Sequence, residues 1–270
     1  MLNNKRSYAF DFDGNLVFTK DTIFLLKRDW KWWHKKEVSQ KEFDNIQIDG
    51  KNWRRLNDSP QDSLINFWKS GNYKKSLLDA LSSNQTWPGR NVYIQANKNA
   101  SPIAKITARG QSPNELMEAH RAVIYDILTI EDRLSLIENM QINLNMKLSE
   151  NMAIELYLNN NLYLPVQSSE FLNMYALNLA IPTKIRKNIW FERFVWHIDL
   201  LFRKYYWKSF VNNPKFSVWF SDDNLQNIQS MMDFIKADLM IKYPYVKFVV
   251  YNTNDSKNIK ETELIWKNFV

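Results

Sequence analysis

The sequence predicts an α/β protein built on a Rossmann-like, doubly wound parallel sheet, and three observations carry that prediction. Short, largely apolar runs of strand length recur at residues 8–10, 101–107, 216–220 and 246–251. Apolar residues spaced by three and four fill the intervals between the later runs, as amphipathic helices require. Three of the runs end in polar residues: Asp11 and Asp13, then Thr107, then Asp222 and Asp223. Strands that alternate with helices favour a parallel sheet, whose strands are buried on both faces and read as near-continuous apolar runs.

The first run, Tyr8-Ala9-Phe10, leads into Asp11-Phe12-Asp13-Gly14-Asn15, a buried strand that ends in an acidic turn. Residues 22–26 and 36–38 are expected to pair as a short hairpin around Asp29-Trp30. Ser39 and Glu42 form a capping box for a short helix, and Ser59-Pro60 starts another that runs to Phe67, with Ser as cap and Pro at the first helical position. A helix over residues 74–81 follows Gly71, and Trp87-Pro88-Gly89 marks a loop. The segment 19–100 therefore reads as an insertion of mixed, mostly helical character.

The strand ending at Thr107 is followed by Ala108-Arg109-Gly110 and by a clear helix start, Ser112-Pro113-Asn114-Glu115. His120 lies on the apolar stripe of that helix and reads as a packed histidine. Residues 131–158 hold two helices, and 162–166 a strand that Pro165 places at a sheet edge. Pro182 opens a long helix to about Tyr206. After Phe216 to Phe220 come Ser221-Asp222-Asp223-Asn224 and a further helix, and Val246 to Tyr251 is the last expected strand before a polar tail.

Composition narrows the chemistry. The 270 residues allow one large domain or a core with an inserted module, and 45% hydrophobic content supplies a core. No apolar run approaches the roughly 18 residues of a membrane span. Residues 1–6 lack the apolar segment of a signal peptide, so a cytoplasmic location away from membranes is expected. Cys is absent, which excludes disulfides, thiolate catalysis and Cys-ligated zinc, and the three His residues are dispersed. A catalytic metal would be held by oxygen, as Mg²⁺ is.

Charge and aromatic content are concentrated in the insertion. Residues 19–100 hold 15 Lys+Arg against 9 Asp+Glu, which is 6 of the chain's net +7, and six of its eleven Trp residues. Cations interleaved with rings suit a phosphorylated or nucleic-acid ligand.

On a parallel sheet the three polar strand ends share one edge, where ligands of open α/β sheets bind. Clustered carboxylates repel unless a cation sits among them, and Mg²⁺ bound by carboxylates and substrate phosphate answers that. Asp11-Phe12-Asp13-Gly14-Asn15, Ile106-Thr107-Ala108-Arg109-Gly110, a Lys after Pro182, and Phe220-Ser221-Asp222-Asp223-Asn224 resemble the four ordered motifs of the haloacid dehalogenase-like (HAD) phosphohydrolase superfamily. The resemblance implies a HAD core at 1–18 and 101–270, with a substrate-selecting cap at 19–100. It implies Asp11 as the nucleophile that forms an aspartyl-phosphate and Asp13 as general acid/base. Thr107 would hold the phosphoryl group, with Gly14, Asn15, Ala108 and Arg109 beside the phosphate. Lys187, or alternatively Lys184, would neutralise charge, and Asp11, Asp13, Asp222 and Asp223 would bind Mg²⁺. Asn15 stands where the superfamily more often has Thr. The expected activity is a Mg²⁺-dependent phosphatase acting on a nucleotide, a nucleic-acid end or another small phosphomonoester. The alternative is a HAD-scaffold protein that binds nucleic acid or another polyanion through its basic, Trp-rich insertion.

Overall fold

A computed structural model describes residues 6–11, 22–39, 42–43, 46–58, 73–82, 89–108, 110–168, 172–173, 181–205, 215–253 and 260–265. In chain order the strands are β1 (Arg6–Phe10), β2 (Thr22–Asp29), β3 (Trp32–Ser39), β4 (Trp53–Arg55), β5 (Ile103–Thr107), β6 (Leu162–Pro165), β7 (Phe216–Asp222), β8 (Val246–Asn252) and β9 (Lys260–Leu264). The helices are α1 (Tyr73–Ser82), α2 (Arg90–Lys98), α3 (Pro113–Asp126), α4 (Ile130–Leu144), α5 (Glu150–Asn160), α6 (Thr183–Tyr205) and α7 (Leu225–Phe234). The last continues through a π-helical turn, Ile235–Leu239, into Met240–Lys242.

The main sheet has the order β6-β5-β1-β7-β8-β9. All its pairings are parallel except that of β9 with β8. The chain passes outward from β1 to β5 and β6, then returns to fill the other flank with β7 and β8. Strand order therefore reverses beside β1, and such a reversal opens a crevice at the carboxyl ends of the strands.

Alternation along the strands divides the core into two layers. Tyr8, Phe10 and Ile103 enter the cluster shared with α1 to α5, whereas Ala9, Ala104 and Ile106 enter the one shared with α6 and α7. On α6, Trp190, Phe191, Phe194, Val195 and Ile198 repeat at helical spacing and are wholly buried. Each such side chain removed from water stabilises the fold by about 1.5–3 kcal/mol. At the start of α3 the expected capping box is present: Ser112 Oγ accepts from the Glu115 N–H, and the Glu115 carboxylate accepts from the Ser112 N–H. The strand containing Pro165 lies at the sheet edge.

Two expectations are corrected. The tail holds an antiparallel edge strand, β9, whose largely exposed sequence Lys-Glu-Thr-Glu-Leu offers little apolar signal. The insertion is mixed and not mostly helical among its described residues. β2, β3 and β4 form a separate antiparallel sheet, in which each hairpin strand runs eight residues. Its small core is Ile23, Leu25 and Val38, packed by Phe43, Ile46 and Trp53. Only one face of this sheet is apolar, and β3 reads as a charged segment with little strand periodicity. Residues 73–98 contribute Leu77, Leu81, Tyr93 and Ala96 to the main core, so within 19–100 it is 22–58 that has its own cluster. The helix expected at 59–67 lies outside the described residues. No described helix is long and apolar enough to cross a membrane.

Candidate functional site

Asp11 directly follows β1, and its N–H donates to the Ser221 carbonyl on β7 at 3.0 Å, which locks the ends of the two strands together. The alternation that sends Tyr8 and Phe10 to one face turns Asp11 to the other, toward α6. There the Lys187 ammonium lies 3.0 Å from Asp11 Oδ2 and 2.6 Å from Asp222 Oδ2. All three side chains are buried at the point where strand order reverses.

The three basic residues at the start of α6 are separated by the helix itself. Lys184 is exposed. Arg186 donates to the Val166 carbonyl at 2.6 Å and to Gln167 Oε1 at 3.1 Å, so it ties down the chain after β6. Lys187 heads the stripe continued by Phe191, Phe194 and Ile198, at offsets of four, seven and eleven, and that stripe faces the sheet. Burial alone would lower the Lys187 pKa, but Asp11 and Asp222 outweigh it and hold the ammonium above its ordinary value.

Asp222 is held on both oxygens. Oδ2 accepts from Lys187 and from Asn227 Nδ2; Oδ1 accepts from the Asn224 N–H at 2.9 Å and from Asn227 Nδ2 at 3.1 Å. Asn224 also caps α7, accepting from the N–H groups of Gln226 and Asn227. Asn227 was not anticipated from sequence. Its position one turn into α7 aims its amide back at the end of β7, and nothing in the residue type alone reveals that.

Carboxylate oxygens of Asp11, Asp222 and Asp223 all lie within 4.8 Å of one another. At that separation two unit charges repel by roughly 3 kcal/mol at an effective dielectric near 20. Among the described residues these three carboxylates cluster beside the Lys187 ammonium. An all-oxygen donor set of carboxylates fits a hard divalent cation. Thr107 is the buried last residue of β5 on the same sheet edge, and Ala108 follows it half-buried. Asp13, Gly14, Asn15 and Arg109 lie outside the described residues.

Behind the sheet, on the face opposite Lys187, a cavity of about 60 Å³ is lined chiefly by Tyr8, Phe10, Trp219 and Tyr251. Among the described residues its lining holds no carboxylate. His120 is fully buried and bonds Tyr163 OH at 3.0 Å and Asn97 Oδ1 at 2.7 Å, as expected of a packed histidine. Compared with known proteins, the chain matches no family model, no curated protein and no solved structure.

Proposed function

We propose that this protein is a Mg²⁺-dependent phosphohydrolase of the HAD type, working through an aspartyl-phosphate on Asp11 with the insertion as its cap. The observation that carries the reading is the Lys187 ammonium between Asp11 and Asp222 at the reversal of strand order. A buried carboxylate beside a fixed ammonium is a nucleophile whose charge is balanced before a phosphate dianion arrives.

In this reading an Asp11 oxygen forms a bond to phosphorus as the bond from phosphorus to the leaving oxygen breaks, and Asp13 gives that oxygen its proton. Water then attacks the aspartyl-phosphate, Asp13 takes its proton, and inorganic phosphate leaves with Asp11 regenerated. Lys187 keeps the phosphoryl oxygens and the nucleophile from repelling each other, and Thr107 donates to a phosphoryl oxygen. Asp11, Asp13, Asp222 and Asp223 would hold Mg²⁺, with Asn227 and Asn224 fixing the Asp222 carboxylate. When bound, the ion would supply charge neutralisation at the phosphoryl group. The substrate is a phosphomonoester, either a small molecule or a nucleic-acid end.

The test is phosphate release from a panel of nucleotides, sugar phosphates and phosphorylated oligonucleotides, with Mg²⁺ or with chelator. Activity that needs Mg²⁺ and vanishes in folded Asp11→Asn supports the reading. A wild-type protein inert across the whole panel refutes it.

A further inference from the structure

The hairpin of β2 and β3 turns through Trp30 and Lys31, with Asp29 paired to Trp32. Trp30 adopts φ 51, the left-handed region that Gly and Asn occupy at little cost and that a bulky side chain occupies only under strain. Its ring is 90% exposed, and that of Trp32 is 74% exposed. Neither turn geometry nor packing accounts for tryptophan at this tip. A strained, uncovered ring is an observation from which function is inferred.

The sheet behind the tip has one face closed by Ile23, Leu25 and Val38. Its other face is cationic and aromatic. Arg28 and Arg54 both lie over the Trp33 ring, at 6.0 and 4.6 Å, and the Lys35 ammonium is 3.8 Å from the centre of the Phe24 ring. The register sets Arg28 opposite Trp33, and Lys35 and Arg54 on either side of Leu26, so these groups share one face. Glu37, opposite Phe24, is the acid among the described residues of that face, against three cations.

We propose that the β2–β3–β4 sheet is a platform for single-stranded nucleic acid. Trp30 at the tip stacks on an unpaired base, while Arg28, Lys35 and Arg54 on the adjoining face meet the phosphates; Trp32, opposite Asp29, belongs to the other face. A partner must be polyanionic to satisfy the cations and must present a flat ring to use the exposed Trp30, and a single strand does both. A duplex hides its base faces within its own stack. The proposal deepens the phosphohydrolase reading, on which it rests only in naming the substrate as the phosphorylated end of such a strand. Strand binding itself involves none of the chemistry at Asp11.

The experiment is fluorescence anisotropy of wild-type protein with a labelled, unphosphorylated single-stranded oligonucleotide of about a dozen nucleotides. Because no phosphate end is present, binding is read independently of hydrolysis. Trp30→Gly, which gives the turn a residue suited to its backbone, should weaken binding about tenfold. Its thermal unfolding should match that of wild type. Arg28→Glu/Arg54→Glu should weaken binding and reduce the slope of log Kd against log salt by about 1.4, for two lost phosphate contacts. The proposal is overturned if the tryptophan variant binds within twofold of wild type. It is also overturned if wild type ignores the oligonucleotide and binds phosphatidylserine/phosphatidylcholine vesicles instead. Oligonucleotide binding by a protein that hydrolyses no phosphomonoester would uphold the platform and remove the phosphatase.

Discussion

The Lys187 ammonium stands 3.0 Å from the Asp11 carboxylate, on a helix that begins at Thr183 and far in sequence from the strand it serves. Removing it leaves buried carboxylates without their cation. Lys187→Met should abolish turnover and destabilise the fold by about 3–5 kcal/mol, read from the urea midpoint. Millimolar Mg²⁺ should recover part of that stability, because a cation then meets the exposed charge deficit. An unchanged midpoint would mean that Lys187 does not balance Asp11.

Asn227 should act through Asp222. With Asn227→Leu the Asp222 carboxylate loses a donor shared between its oxygens, each 3.1 Å away. The Mg²⁺ concentration for half-maximal activity should rise about 10–100-fold, as when partners behind metal ligands are lost. A lower kcat with unaltered Mg²⁺ dependence would contradict this positioning role.

Lys105 gives a prediction about stability and pH. It lies on β5, wholly buried; among the described residues its Nζ has no hydrogen-bond partner, and it sits 5.4 Å from the Tyr93 ring. Burial pushes its pKa well below the ordinary lysine value, and the unfolded chain regains that value. Between the two, the unfolded state binds the extra proton, so Lys105 makes stability rise with pH until the unfolded lysine itself deprotonates near 10.4. Lys105→Met should flatten that rise and stabilise the protein near neutral pH by about 1–3 kcal/mol, the cost of an unsatisfied buried polar group. Thermal unfolding from pH 6 to 10 checks both; a destabilised Lys105→Met would show that the amine has a use.

Much of this arrangement was legible in the sequence. The runs at β1, β5, β7 and β8 are apolar on both faces, which parallel strands covered by helices require. Their polar ends mark the edge where Asp11 and Asp222 meet. Lys187 and Lys184 both stood as candidates in the sequence, since each lies at helical spacing from Phe191; the fold buries Lys187 and exposes Lys184. β3 and β9 were hidden or cut short because edge and one-sided strands carry charge where buried strands carry Val and Ile. Asn227 was hidden because its role depends on the direction α7 takes after its Asn224 cap. The exposure of Trp30 was hidden because composition shows that tryptophans are present, not which ones the fold leaves uncovered.

The most direct test of the central claim is capture of the phosphorylated enzyme. Wild-type protein is mixed with Mg²⁺ and a substrate it hydrolyses, quenched in acid and mapped by peptide mass. The account predicts a hydroxylamine-labile phosphoryl group on Asp11, absent in Asp11→Asn. Phosphate release that continues undiminished in Asp11→Asn, with no acyl-phosphate in wild type, would contradict it.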